Sequence, residues 1–243
     1  ELAEKIAVAM PKKNDSVSLK CRRTGTHQFK SVDVTQVWSQ HIREAGGTVE
    51  YEHPDTTLLC DIVDDTCFIG ELISDNLQKR PYRIKHNNRS INACIAAAMI
   101  YLSNPKEDET ILDPLCKDGI IVLEAWMLGQ KNVYAADPIK NNVRNAHINC
   151  RFAKTSIIPK VLDWTSIEQE LPAGKADHII TNIPISTKRT SDEIAMVSFM
   201  RNAERITRKI LTVITTQPER IKDEAKEKFA LQSETHVSVG EMR

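Results

Sequence analysis

The sequence has no Cys-x-x-Cys pair, no apolar run of bilayer-spanning length, and no basic stretch leading into a long apolar segment at its start. The first absence excludes a zinc ribbon and a dense disulfide scaffold, so Cys21, Cys60, Cys67, Cys94, Cys116 and Cys150 read as reduced, mostly buried thiols, and no metal site is expected. The second argues against a membrane span and the third against a secretory signal, which leaves the cytoplasm as the expected compartment. Glycine and proline are scarce, 8 and 10 of 243 residues, which excludes collagen and low-complexity chains. With 41% hydrophobic and 27% charged residues the chain is an ordinary globular one, long enough for one large or two ordinary domains. Neither sign of charge is in excess, at 33 residues each.

The distribution of charge is uneven. Lys12, Lys13, Lys20, Arg22, Arg23 and Lys30 are opposed only by Asp15 within their stretch, and Lys79, Arg80, Arg83, Lys85 and Arg89 form a second block without an acid. The stretch between them, Glu44 to Asp75, has acids and no Lys or Arg. Two basic blocks gathered on one face would make a local positive field suited to a phosphate backbone, with His27 and Tyr82 placed to stack on a base or ribose. Plain solvated surface is the alternative for such runs.

Val17 to Arg22 alternates like a half-buried strand. Ser31 or Asp33 is positioned to cap a helix carrying Val34, Val37, Trp38, Ile42 and Ala45, closed by Gly46-Gly47. Thr48 to Glu52, Thr57 to Val63 and Thr66 to Leu72 read as strands, the last two joined at Asp64-Asp65. The segments SLKCRRTGTHQFKSVDV, HPDTTLLCDIVDDTCFIG and LQKRPYR occur in the order seen in THUMP domains, and the region from about residue 14 to 89 resembles that RNA-docking module. The resemblance implies that Lys20, Arg22, Arg23, His27, Lys30, Lys79, Arg80 and Arg83 meet RNA. It also implies a ferredoxin-like piece ahead of the THUMP core, represented here by ELAEKIAVAMPKK.

From Ile91 the pattern changes. A helix to Leu102 is followed by alternating strands and helices: strand Thr110 to Leu115, helix Gly119 to Leu128, strand Asn132 to Ala136, helix Pro138 to Arg151, then strands Ile157 to Leu162 and His178 to Thr181. A helix from about Asp192 to Thr207, a strand Lys209 to Thr215, a short helix after Pro218 and a closing β segment to Arg243 complete the expectation. Such alternation predicts an α/β domain with a doubly wound parallel sheet, binding its ligand at the carboxyl ends of the strands.

Those ends carry polar residues. The loop Asp113-Pro-Leu-Cys116-Lys117-Asp-Gly119 opens a helix and is placed to present backbone amides. Asp137 lies where an acid accepts the hydrogen bonds of a ribose diol, and Asp163 where one meets the amino edge of adenine. Each Asp has capping the next helix as its alternative role. At the fourth end, Asn182 and a carbonyl fixed by Pro184 suit an exocyclic amino group, orienting its lone pair at an electrophilic methyl; an ordinary turn is the alternative.

This arrangement resembles the class I, Rossmann-like S-adenosylmethionine methyltransferases that act on amino groups of bases. A THUMP unit ahead of it is the layout of tRNA guanine-N2 methyltransferases and of related ribosomal RNA enzymes. The resemblance implies S-adenosylmethionine as cofactor, held by Asp113, Cys116, Gly119, Asp137 and Asp163, and catalysis by Asn182 and Pro184. It implies tRNA or another structured RNA as partner, with no membrane and no protein partner indicated. The domains are expected at 1–89 and 90–243. Two departures stand out: Lys117 replaces a loop glycine and is expected to crowd the cofactor, and Ile185 replaces the aromatic that stacks on the base. They keep an alternative open, an RNA-binding protein whose methyltransferase domain is weak or silent.

Overall fold

The computed structural model describes residues 16–74, 77, 79–163, 166–183 and 190–237. They divide into two compact units, Glu1–Leu77 and Gln78–Arg243. The parting falls before the expected 89/90 boundary because 79–90 is hydrogen-bonded into the second unit.

In the first unit, β1 (Ser16–Thr24) leads into α1 (Ser31–Glu44), followed by β2 (Thr48–Val49), β3 (Thr56–Val63) and β4 (Thr66–Glu71). The strand order is β2-β1-β3-β4, with β1 parallel to β2 and β3, and β3–β4 an antiparallel hairpin. Asp64 turns that hairpin with φ 48°, a conformation Asp tolerates. One stripe of α1, Val34, Trp38 and Ile42, packs on Val17, Leu19, Leu58, Cys60 and Ile62. The N-cap position itself falls one residue ahead of Ser31, while Asp33 takes part in the cap as expected. Lys30 holds the N-cap position with extended backbone, and Asp33 reaches back to accept its N–H at 2.7 Å. At the other end Gly46, with φ 85°, closes the helix onto the Arg43 carbonyl.

The second unit opens with α2 (Ala93–Ser103), whose N-cap Asn92 accepts the Cys94 N–H at 2.7 Å and whose end is turned by Asn104 at φ 48°. Then follow β5 (Ile111–Asp113), α3 (Ile120–Met127), β6 (Val133–Asp137), α4 (Lys140–Phe152), β7 (Lys160–Val161), β8 (Ala176–Asn182), α5 (Thr190–Ile206), β9 (Thr207–Ile214) and α6 (Pro218–Ala225). The sheet order is β7-β6-β5-β8-β9, all parallel. Successive strand residues feed opposite faces: Ile111 and Ile180 pack with α2, α3 and α4, while Leu112 and Ile179 pack with Phe199, Met200 and Ala203 of α5. That is why β5 and β8 read as unbroken apolar runs. The strand order reverses between β5 and β8, which fixes a crevice at their carboxyl ends.

Among the described residues the closing β segment is not found. Residues 226–237 carry no strand, Leu231 and Val237 are exposed, and the stretch is tied to α6 by the Lys222–Glu234 ion pair at 2.7 Å. Alternating residues make a strand only beside a partner strand. Residues 238–243 lie outside the described set. No helix among the described residues is long and apolar enough to cross a membrane.

Candidate functional site

Four polar residues stand at or just beyond the carboxyl ends of neighbouring strands: Asp163 after β7, Asp137 on β6, Asp113 on β5 and Asn182 on β8. Asp113 is buried, accepting the Thr181 hydroxyl at 2.7 Å and the Leu115 N–H at 3.1 Å. Burial pushes its carboxyl up to about 6, against the pull of the Lys117 ammonium and the Thr181 hydrogen bond. Asp137 is buried too, with Oδ2 accepting the Lys117 N–H at 2.9 Å and Oδ1 taking Ile139 N–H at 2.9 Å and the Asn142 amide at 3.0 Å. It therefore caps the entry to α4 and braces the loop together. Asp163 is exposed, and its carbonyl accepts the Ser166 N–H.

The loop does not present its amides as the sequence suggested. Cys116 N–H goes to the Ala136 carbonyl at 2.9 Å, Lys117 N–H to Asp137, and Gly119 N–H back to Cys116. Neighbouring β6 supplies acceptors for the first two, and buried donors take the acceptors nearest to them. Cys116 itself is buried and its thiol is driven up by burial. Gly119 enters α3 with φ 83°, facing Ala146 of α4 so closely that an added Cβ would lie 3.3 Å from the alanine methyl.

Lys117 has φ 50° and a side chain folded inward, only 6% exposed. Its Nζ donates to the Asn182 carbonyl at 2.7 Å. Burial lowers its pKa, while Asp113 and Asp137 oppose that shift by favouring the charge. The Asn182 side chain donates through Nδ2 to the Arg89 carbonyl at 3.0 Å, which leaves Oδ1 as its acceptor end. Thr181 and Arg89 are the site contributors that spacing alone did not reveal, whereas Lys117 was marked in the sequence as a departure in the loop. A hydroxyl alternating with Asn182 on β8 was the available signal for Thr181. Pro184 and Ile185 lie outside the described residues.

The donor set suits an adenosyl sulfonium in kind: buried carboxylates at adjacent strand ends, a glycine-entered helix, and an amide acceptor beyond them. The space does not yet admit one. Ser90, Ile91, Asp113, Lys117, Ile121 and Asn182 enclose about 10 Å³, room for roughly one water. The Lys117 side chain is one wall of that crevice, with its ammonium at the Asn182 carbonyl.

The second basic block is largely committed to architecture. Arg80 pairs with Glu124 at 2.7 Å, and Tyr82 also donates to that carboxylate. Arg83 binds Asp118, a fully buried carboxylate that also accepts the Asn87 N–H and the Ser90 hydroxyl. Asn149 of α4 clasps Lys85 through both its N–H and its carbonyl. These ties draw 79–90 into the second unit and engage Arg80 and Arg83, both expected to meet RNA, with carboxylates of that unit. Tyr82 is likewise in the core. Lys79 is exposed.

In the first unit the basic residues cluster around the β1–α1 loop. Lys20 and Arg22 are exposed, and Arg22 also pairs with Asp61 across the strands at 2.9 Å. Arg23 lies over the Phe29 ring at 5.6 Å and donates to Ser31. His27 bonds the Asp64 carbonyl through Nε2 at 2.9 Å and sits 5.2 Å from Phe29, centroid to centroid. Lys30 is exposed at the helix entry. Cations interleaved with two flat rings form a surface suited to single-stranded nucleic acid.

Residues 80–241 match the family model described as RMKL-like, methyltransferase domain, and residues 1–70 match the THUMP domain. The tRNA (guanine(6)-N2)-methyltransferase of Methanocaldococcus jannaschii is 29% identical over 126 residues, covering 48% of this chain and 33% of the relative. That of Archaeoglobus fulgidus is 30% identical over 125 residues, covering 48% and 32%. The chain thus spans about a third of the length of these curated relatives. Among solved structures, TrmN from Thermus thermophilus superposes with a TM-score of 0.72 at 23% identity, covering 92% of this chain and 69% of that one. SMU.472, a putative methyltransferase complexed with SAH, gives 0.66 at 13% identity, covering 92% and 73%. These likenesses show the fold.

Proposed function

The chain belongs to the RMKL-like methyltransferase domain family, with a THUMP domain ahead of it, and from that premise we propose that it transfers a methyl group from S-adenosylmethionine to an exocyclic amino group of an RNA base, guanine N2, with tRNA as the substrate class. The names of the archaeal relatives support the substrate, and the bound SAH of SMU.472 supports the cofactor. When bound, S-adenosylmethionine supplies a methyl group made electrophilic by its sulfonium.

The observation that carries the reading is the posture of Asn182. With Nδ2 anchored on Arg89, its Oδ1 is an acceptor for an amino N–H at the switch-point crevice. An N–H held there aims the nitrogen lone pair away from the amide and toward the cofactor side. Thr181, on the same strand, holds the Asp113 carboxylate, and Asp137 holds the loop; Asp113, Asp137 and Asp163 are the carboxylates assigned to the cofactor. Lys20, Arg23, His27 and Lys30 of the first unit grip the RNA backbone and an unstacked base, and the target base leaves its stack to reach Asn182.

The test is incorporation of labelled methyl into unmodified tRNA, with Asn182→Ala as control. The reading predicts incorporation by the parent and a drop of about 100-fold or more in the variant, with RNA affinity kept. Equal incorporation by both would remove Asn182 from its role. A silent RNA-binding module is the second reading, favoured by one observation, the small volume of the crevice that Lys117 helps to line.

A further inference from the structure

Lys117 is more than an obstacle of size. Its ammonium is bonded to the backbone of the very residue whose side chain is assigned to the target amine, and the Asp113 and Asp137 carboxylates favour its charge. A donor that reaches an amine at Asn182 must bring its positive sulfonium to the same strand end. The transferred methyl takes that charge with it: the sulfonium's S–C bond breaks, its electron pair stays on sulfur, and a neutral thioether remains. The two adenosyl ligands therefore differ, at the point that meets Lys117, by one unit of positive charge.

Resting on the function proposed above, we propose that Lys117 is a specificity-determining residue of the cofactor crevice, a resident cation that disfavours the sulfonium donor and favours its thioether product. With Asp113 and Asp137 as neighbouring carboxylates, and Asp118 already paired with Arg83, Lys117 offsets part of the negative charge that would otherwise attract a sulfonium. Its side chain is nearly enclosed, so bulk water screens this poorly, and like charges in such a place repel strongly. Steric filling weakens both ligands; charge separates them.

Calorimetric titration with S-adenosylmethionine and with S-adenosylhomocysteine gives the two dissociation constants and their ratio, without any turnover. Two variants divide size from charge. Lys117→Met keeps the length and removes the cation, and Lys117→Gly removes both while suiting the left-handed backbone at φ 50°. The parent is expected to bind the thioether more tightly than the sulfonium. In Lys117→Met the ratio of sulfonium to thioether dissociation constants falls by about tenfold or more, and in Lys117→Gly it falls similarly while both ligands tighten. Melting curves identify a variant that fails to fold, and the other then reads the same ratio. Binding of both ligands with an unchanged ratio in the folded variants would overturn this proposal and leave the methyltransferase reading standing. Absence of binding of either ligand by parent and variants alike would overturn that reading, and this one with it.

Discussion

The guanidinium of Arg83 lies against the carboxylate of Asp118, Nη2 to Oδ2 at 2.8 Å and Nε at 3.0 Å, and the carboxylate has no exposed surface. A basic residue that resembles an RNA contact in sequence is thus the counter-charge of a buried acid. Removing it strands that acid, at a cost of about 3–5 kcal/mol. Arg83→Ala is expected to lower the unfolding free energy in urea by that amount, and Arg83→Lys to recover only part, because lysine cannot reproduce the two-pronged contact. A stability equal to the parent's would refute the pairing.

RNA affinity is expected to depend on the β1–α1 loop instead. Lys20→Glu combined with Lys30→Glu reduces affinity for tRNA and lowers the slope of log K against log salt by about one for each phosphate that is no longer neutralised. Arg22 is the weaker probe because it already faces Asp61. An unaltered slope in the double variant would move the docking surface elsewhere.

Gly119 sits at φ 83° where α3 starts beside Ala146. Gly119→Ala is predicted to cost about 1–2 kcal/mol for the left-handed backbone alone, with a further loss of cofactor affinity as the helix entry shifts. Denaturation and titration of the same preparation check both.

Two acids give opposite pH signatures. Glu109 is held at about 2, chiefly by Lys209, then by the Lys106 N–H and His178. Since its ordinary value is 4.5, the unfolded chain binds the extra proton, so this contribution is present above pH 4.5 and lost as pH falls toward 2. Asp113, raised from 3.8 to about 6, does the reverse: the folded chain binds the extra proton, and its contribution declines as pH rises through that window. Glu109→Gln should flatten the acid side of the melting-temperature profile, and Asp113→Asn the span between about pH 4 and 6.

The periodicities located β1, α1, the β3–β4 hairpin and the alternating elements of the second unit, because burial of one stripe or of both sheet faces writes itself into apolar spacing. The strand-end acids were legible for the same reason: they follow apolar runs. Partners distant in sequence were not. Arg80 and Arg83 meet acids 44 and 35 positions away, and the Lys117 ammonium meets a carbonyl 65 positions away. Such pairings depend on how strands are ordered, which charge runs do not encode. The amides of the Asp113–Gly119 loop turned inward because neighbouring β6 offered acceptors, a relation equally invisible in spacing.

Methylation of a guanine amino group in RNA is the proposed activity on which the rest depends. Nucleoside mass spectrometry of unmodified tRNA, incubated with the protein and S-adenosylmethionine and then digested, reads it directly. N2-methylguanosine that appears with the parent and vanishes with Asn182→Ala is the predicted result; RNA that is bound by the protein yet yields no methylated guanosine contradicts it.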